Sequence, residues 1–262
     1  MEWSKTKSIF IIVFLVLNIF LLFQYMEKRN SNKYEYIPET SLEEDLTEND
    51  ITYGKLPDNV KEEKYVTAKS KTFTKDDVQK LKGQGAAITG ETLLVSILEK
   101  PFKIDEDFKS EQLDKYIKDT VLFGEDYRFW AFDEEQNTII YYQEYQKKMF
   151  YNNANAELRL HVNSNREIES YEQTYLENIE TFNDPVEILP PLQAIEILFT
   201  NDDLKAKSDI TKVELGYYTY VQTASHVLAP TWRIVVDNKK NLFVNAFEGQ
   251  IIEMSPEEKK LE

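Results

Sequence analysis

A chain without cysteine must draw any chemistry from histidine, carboxylate, lysine and hydroxyl groups. Thiolate nucleophiles, disulfides, Cys-ligated zinc and thioether lipid anchors are excluded. Two histidines are present, His161 and His226. His161 falls on the wet side of an alternating strand, where Leu158, Leu160 and Val162 interleave with Glu157, Arg159 and His161. His226 precedes Ala229-Pro230 and is expected in a surface loop. Neither belongs to a ligand-spaced motif, and no nucleophile elbow, Walker loop or H-E-x-x-H occurs. Forty-seven Asp and Glu make adjacent carboxylates unavoidable. Glu43-Glu44, Glu134-Glu135 and Glu257-Glu258 therefore read as solvated turns or tails rather than acid/base pairs. Lys100, Lys147 and Lys148 stand in no pattern that would make an amine nucleophile. The inventory predicts no catalytic residue, no cofactor and no metal.

Charge narrows the partners. The net charge is −16 over 262 residues. Lys5, Lys7, Lys28 and Arg29 outweigh Glu2 and Glu27 by two in the first 29 residues, so the remainder carries −18. Such a surface repels phosphate backbones, and nucleic acid is not an expected partner.

The most informative segment is apolar. Ile9 to Phe23 reads IFIIVFLVLNIFLLF, fourteen apolar residues of fifteen. At roughly 0.3–0.6 kcal/mol for each Leu, Ile, Phe or Val, insertion into lipid gains about 6 kcal/mol, well above the cost of the uncharged Asn18. From Ser8 to Tyr25 a helix rises about 27 Å, close to the hydrocarbon thickness of a bilayer. The run leads into Gln24-Tyr25-Met26-Glu27-Lys28-Arg29 without an Ala-x-Ala pattern, so a retained anchor is favoured over a cleaved signal. Trp3 and Tyr25 fall near the two interfaces. Asn18 has two readings: a polar residue tolerated in a long apolar run, or a donor and acceptor to a partner helix. Ile11, Phe14, Leu15, Asn18, Leu22 and Tyr25 share one helical stripe, the candidate partner-binding face.

Other elements must hold the rest of the chain outside the membrane. The fold class expected is α+β: an N-terminal transmembrane helix followed by two modules of helices packed on antiparallel β-meanders. The expected division is a cytoplasmic tail (1–8), the transmembrane helix (9–26), an acidic tether (27–62), and two extracellular modules (63–183 and 184–262). The tether has no Lys or Arg between Lys33 and Lys55 and seven acids, with a short helical turn around Leu42 to Leu46. Thr74 caps a helix over 72–82 that Gly83 stops, and Ser110 caps another reaching Val121. Strands are expected at 91–98, ended by Pro101, then at 129–132, 138–145, 156–162 and 167–176. Asn183-Asp184-Pro185 and Pro190-Pro191 mark the boundary, and a helix over 191–199 follows. Strands at 211–221, 231–237 and 241–247 complete the chain, with Asp237 to Lys240 as a hairpin turn. The many tyrosines, including Tyr141, Tyr142, Tyr151, Tyr171 and Tyr217, serve either the sheet core or a protein-binding face.

Two stretches resemble a known family. The opening MEWSKTKSIFIIVFLVLNIFLLFQY, through Trp3, Ser4-Lys5-Thr6-Lys7 and Leu17-Asn18, resembles the start of the YycI family of low-GC Gram-positive bacteria. LAPTWRIVVDNKKNLFVNAFEGQII, Leu228 to Ile252, is similar to that family's closing hairpin around Pro230, Trp232, Asn245 and Gly249. The resemblance implies a single-pass membrane protein, N-terminus cytoplasmic and C-terminal domain extracellular. It implies as partners membrane lipid, a YycH-like sister protein and the essential sensor histidine kinase WalK/YycG, which controls cell-wall metabolism. It implies a non-catalytic role, with helix contacts in the membrane coupling to the kinase. The rival expectation is a tethered extracellular chaperone or a protease inhibitor of cystatin-like or PepSY type.

Overall fold

In the computed structural model, residues 3–31, 39–57, 60–105, 108–222 and 226–253 are described. Met1, Glu2, the 32–38 part of the expected tether and the acidic tail with Glu257-Glu258 lie outside them. The chain is α+β with an N-terminal apolar helix and a mostly antiparallel sheet.

Helix α1 (Trp3–Ser31) contains the apolar run. Helix α2 (Glu39–Glu48) follows, with Leu42 and Leu46 one turn apart and buried. Next come β1 (Thr52–Tyr53) and β2 (Glu62–Ser70). Helix α3 (Lys75–Lys80) begins at a capping box: Asp77 N donates to Thr74 Oγ1 (3.3 Å), and Thr74 N donates to the Asp77 carboxylate (3.0 Å). The hairpin of β3 (Gln84–Thr89) and β4 (Leu93–Lys103) leads into α4 (Ser110–Thr120). Lys109, not Ser110, occupies the N-cap of α4.

The meander then runs through β5 (Tyr127–Asp133), β6 (Thr138–Tyr145), β7 (Lys148–Tyr151), β8 (Glu157–Val162), β9 (Glu167–Gln173) and β10 (Leu176–Glu187). Helix α5 (Pro191–Thr200), with Pro at its start, precedes β11 (Asp209–Gln222), β12 (His226–Val236), β13 (Lys240–Asn245) and β14 (Ile251–Ile252).

Two sheets result. In one, β5, β6, β8, β9, β4 and β3 lie side by side, and α3 and α4 cover its inner face. Leu113 and Ile117 of α4 share a core with Leu94, Ile139, Leu158, Leu160 and Tyr171. In the other, β10, β2, β12 and β11 are adjacent, and β13 takes over from β2 along the same edge of β12. Here α2 and α5 supply Leu42, Leu46, Ile195 and Leu198 to a core with Leu215, Trp232, Ile234 and Val244. Trp232 fixes that core by donating Nε1–H to Leu189 O at 2.8 Å.

The folded domain therefore begins before the expected tether ends. Residues 39–57 are built into the C-terminal sheet and its core, because the acidic face of α2 is solvated while Leu42, Leu46 and Ile51 are buried. β2, placed by sequence in the first module, pairs with β10 and β12 of the second sheet. The cut expected at 183/184 falls inside β10. That strand passes Pro185 because it lies at the sheet edge and shifts register between Phe182 and Val186, where a missing N–H costs little. A register shift between Ile97 and Phe102 likewise carries β4 past Pro101.

The two sheets interlock through β7, antiparallel to β6 and parallel to β11. Phe150, Val66, Leu176, Tyr217 and Leu228 fill one side of the junction, and Ile140, Tyr142, Met149, Tyr151 and Phe243 the other. Most of the junction tyrosines are thus core. Tyr151 lies against Gly216 of β11, where an added Cβ would stand 2.4 Å from the ring and 2.6 Å from Met149 O. The absence of a side chain at 216 is what lets the sheets close. Gly216→Ala should therefore destabilise the fold by about 1–3 kcal/mol through overpacking, measured by denaturant midpoint. An unchanged midpoint would mean that the junction is looser than this contact requires.

Candidate functional site

Two regions combine unusual exposure or charge: the face of α1 and the junction between the sheets. Residues Lys7–Gln24 form a helix long and apolar enough to cross a membrane, and none of that stretch is buried by the rest of the chain. Ile11, Phe14, Leu15 and Leu22 are 55–67% exposed. Phe10, Ile11, Phe14, Leu15 and Asn18 line one shallow concavity, so the structure brings four of the six stripe residues to a common surface. Leu22 follows one turn on. The side chain of Tyr25 lies outside the described residues.

Asn18 donates Nδ2–H to Phe14 O, one turn back, at 2.8 Å. This bond meets part of the amide's demand within its own helix and lowers the cost of placing it in lipid. An Asn side chain has a second N–H and an oxygen with two lone pairs. The intrahelical bond therefore leaves capacity for a neighbouring helix.

The second region is an ionic clasp. Glu214 of β11 accepts from Arg233 Nη1 (2.7 Å) of β12, lies 3.4 Å from Arg128 Nη2 of β5, and pairs with Lys212 Nζ at 2.9 Å. Arg233 also donates Nε–H to Asn241 Oδ1 (2.7 Å) and stacks on Trp130, 4.1 Å from the ring centre. Burial pushes the Glu214 carboxyl up, but Arg128, Lys212 and Arg233 outweigh it and hold the group below its ordinary range. A second tie joins β7 to β2 where Lys148 Nζ donates to Glu63. A cleft of about 500 Å³ opens beside the clasp, lined by Asp114, Lys118, Arg128, Glu144, Lys212 and Arg233 among others. Its lining mixes four cationic side chains with three carboxylates, Asp114, Glu125 and Glu144.

Sequence reasoning missed this clasp because its members lie far apart in the chain. The available signal was Glu214 between Val213 and Leu215, and Arg233 between Trp232 and Ile234: charges in strands otherwise rich in core residues.

The histidines part company. His161 stays half-exposed, 3.7 Å from Glu172. His226 is not on a surface loop: β12 starts there, and the ring is buried because β2 and β11 flank it at Ala68 and Gln222. Its Nε2 lies 2.9 Å from Ser70 Oγ, and Ser70 Oγ donates to Asn155 Oδ1 at 3.3 Å. His226 Nδ1 has no partner among the described residues, so no acid orients the ring as a triad would. Burial lowers the imidazole pKa. Among the described residues, no group of three His, Asp or Glu is placed to hold a metal ion.

The sequence model of the family described as YycI protein matches residues 31–247. No curated protein matches the chain. Two solved structures are similar at low identity. One is an uncharacterized protein from Eubacterium rectale, with 10% identity and a TM-score of 0.46, covering 75% of this chain and 86% of that one. The other is the YpeB C-terminal domain of Bacillus megaterium, with 12% identity and a TM-score of 0.41, covering 71% and 99%. Likenesses at this level carry no functional argument.

Two outcomes follow. Glu214→Gln should cost about 2 kcal/mol, because it removes the negative charge that two guanidinium groups share and puts an amide NH2 where Oε2 faces Lys212. The clasp's contribution should be full above a carboxyl pKa of about 4.5 and disappear as pH falls through the depressed folded value; an unchanged urea midpoint at pH 7 would remove the clasp from the account. For His226 the sign is the same. The unfolded chain binds a proton near pH 6.5 and the folded chain only at lower pH, so stability should fall as pH drops below about 6.5. His226→Gln should flatten the unfolding midpoint between pH 7 and pH 5, and parallel curves for the two proteins would contradict the burial.

Proposed function

From the premise that the chain belongs to the YycI family, we propose that it is a non-catalytic, membrane-anchored accessory that tunes the YycG/WalK sensor histidine kinase of cell-wall control, together with a YycH-like partner. The N-terminus lies in the cytoplasm and the α+β domain outside. The observation that carries this reading is the bare stripe on α1. An apolar helix uncovered by its own chain gains lipid on every side, yet one face also presents an amide with spare hydrogen-bonding capacity.

The mechanism is differential packing. A sensor kinase has at least two signalling states. An accessory helix that packs better against one of them shifts the ratio by the difference in contact energy, and by nothing else. About 1.4 kcal/mol changes that ratio tenfold. Interhelical hydrogen bonds in membranes supply about 0.6–2 kcal/mol, so a single Asn18 contact plus close packing is sufficient in size. The exterior domain adds contacts and holds orientation.

The test exchanges residues 9–25 for an unrelated apolar helix of equal length. Membrane insertion should persist while kinase regulation, read as output-gene expression, is lost. Asn18→Leu is the finer probe and should weaken regulation several-fold. A re-anchored protein that still regulates fully would show that the stripe plays no part.

A further inference from the structure

Most sheet edges in this protein are guarded. β10 carries two register shifts, Pro185 and the charges Glu177, Glu180 and Glu187. β14 is two residues long, and β5 is broken by a shift between Phe129 and Ala131. β3 is the exception. It ends the sheet and pairs with β4 over six residues without a shift. Its sequence, Gln-Gly-Ala-Ala-Ile-Thr, has no charge and no proline. Soluble proteins ordinarily blunt such an edge.

The backbone groups of β3 can be assigned. Glu99 N donates to Gly83 O at 3.0 Å, and hydrogen-bonded pairs recur at every second residue of an antiparallel ladder. Gly85, Ala87 and Thr89 therefore bond to β4, while Gln84, Ala86 and Ile88 turn N–H and C=O outward. Among the described residues, none bonds to those outward groups.

The side-chain surface is equally bare. Gly85 lies opposite Ile97, which is 65% exposed, the most of any large hydrophobic among the described residues outside α1. Ala87 lies opposite Val95. Gly85 has ordinary strand backbone, and a Cβ there would meet nothing within 4 Å. The fold itself does not require the small residue.

We propose that β3 is a pairing edge whose occupant is β3 of a second copy, antiparallel about a two-fold axis at Ala87. The ends of the strand carry the argument for a second copy. Lys82 stands exposed at one end and Glu91 exposed at the other. Pairing centred on Ala87 sets Gly85 opposite Thr89 and brings the start of one strand, with Lys82, to the end where the partner's hairpin turn carries Glu91, twice by symmetry. Ala86 and Ile88 of the two copies then exchange the outward backbone bonds, and the Ile97 strips continue across the joint. Six residues make a weak contact in free solution. Two chains anchored in one membrane meet at high effective concentration, which suits a weak edge. The inference uses α1 only as an anchor and does not rest on the kinase reading, since its partner is a second copy of the same chain.

The chain's lack of cysteine makes the test clean. Ala87→Cys in the full chain, in native membranes under mild oxidation, gives a disulfide-linked dimer, because directly opposed residues of a non-hydrogen-bonded pair lie about 4.5 Å apart at Cα, within disulfide range. On that background, Lys82→Glu or Glu91→Lys lowers dimer yield about two- to fivefold, the range of an exposed ion pair, and the double reversal restores it. Ala86→Pro removes an N–H that no described residue uses, so it abolishes the dimer while circular dichroism shows the fold retained. Three results would overturn the proposal: no self-dimer from Ala87→Cys, a dimer indifferent to Ala86→Pro, or a link to a different protein in its place.

Discussion

An apolar helix that its own chain leaves uncovered sets the terms for this molecule. The α+β domain completes two cores and a junction without using any described side chain of Ile9 to Phe23. Lipid satisfies that surface with several kcal/mol, but lipid has no direction. On the proposed reading, specificity comes from the small difference between faces of the helix: aromatic and aliphatic relief around one amide. The energies suit a regulator. A contact of one to two kcal/mol is negligible beside insertion, yet it is large beside the free-energy gap of a two-state kinase.

In the α+β domain, charge and shape act together. The −16 chain keeps most of its acids on solvated faces, as on α2. Two of its five arginines, Arg128 and Arg233, converge on Glu214, and Arg233 also stacks on Trp130. That convergence, with Tyr151 seated against Gly216, joins two sheets that would otherwise be separate layers.

Local signals were legible and long-range ones were not. The anchor, the Thr74 capping box, helices α4 and α5, and the alternating strands β6, β8 and β9 could be read because each is specified by residues within a few positions of one another. β2 and β3 escaped because neither alternates strongly: one is rich in Lys and Glu, the other in Gly and Ala, and only their pairing partners make them strands. The acidic stretch before Lys55 reads as tether until Leu42 and Leu46 find Ile195 and Leu198, some 150 residues away. Prolines 101 and 185 were expected to stop strands, but register shifts absorb them. His226 reads as loop because of its neighbours Ala229-Pro230, while the fold buries it between β2 and β11. Of the candidate stripe, the helical phase was legible; what touches it depends on another molecule and cannot be written in this chain.

The central claim is that one face of α1, rather than the helix as a whole, meets a protein partner. Photo-crosslinking residues introduced singly along the anchor in living membranes measure this directly. The account predicts links to the kinase or to the YycH-like protein from positions 11, 14, 15, 18 and 22, and none from positions 9, 13, 16 and 20 on the opposite face. Equal labelling from both faces, or links to lipid alone, would contradict it.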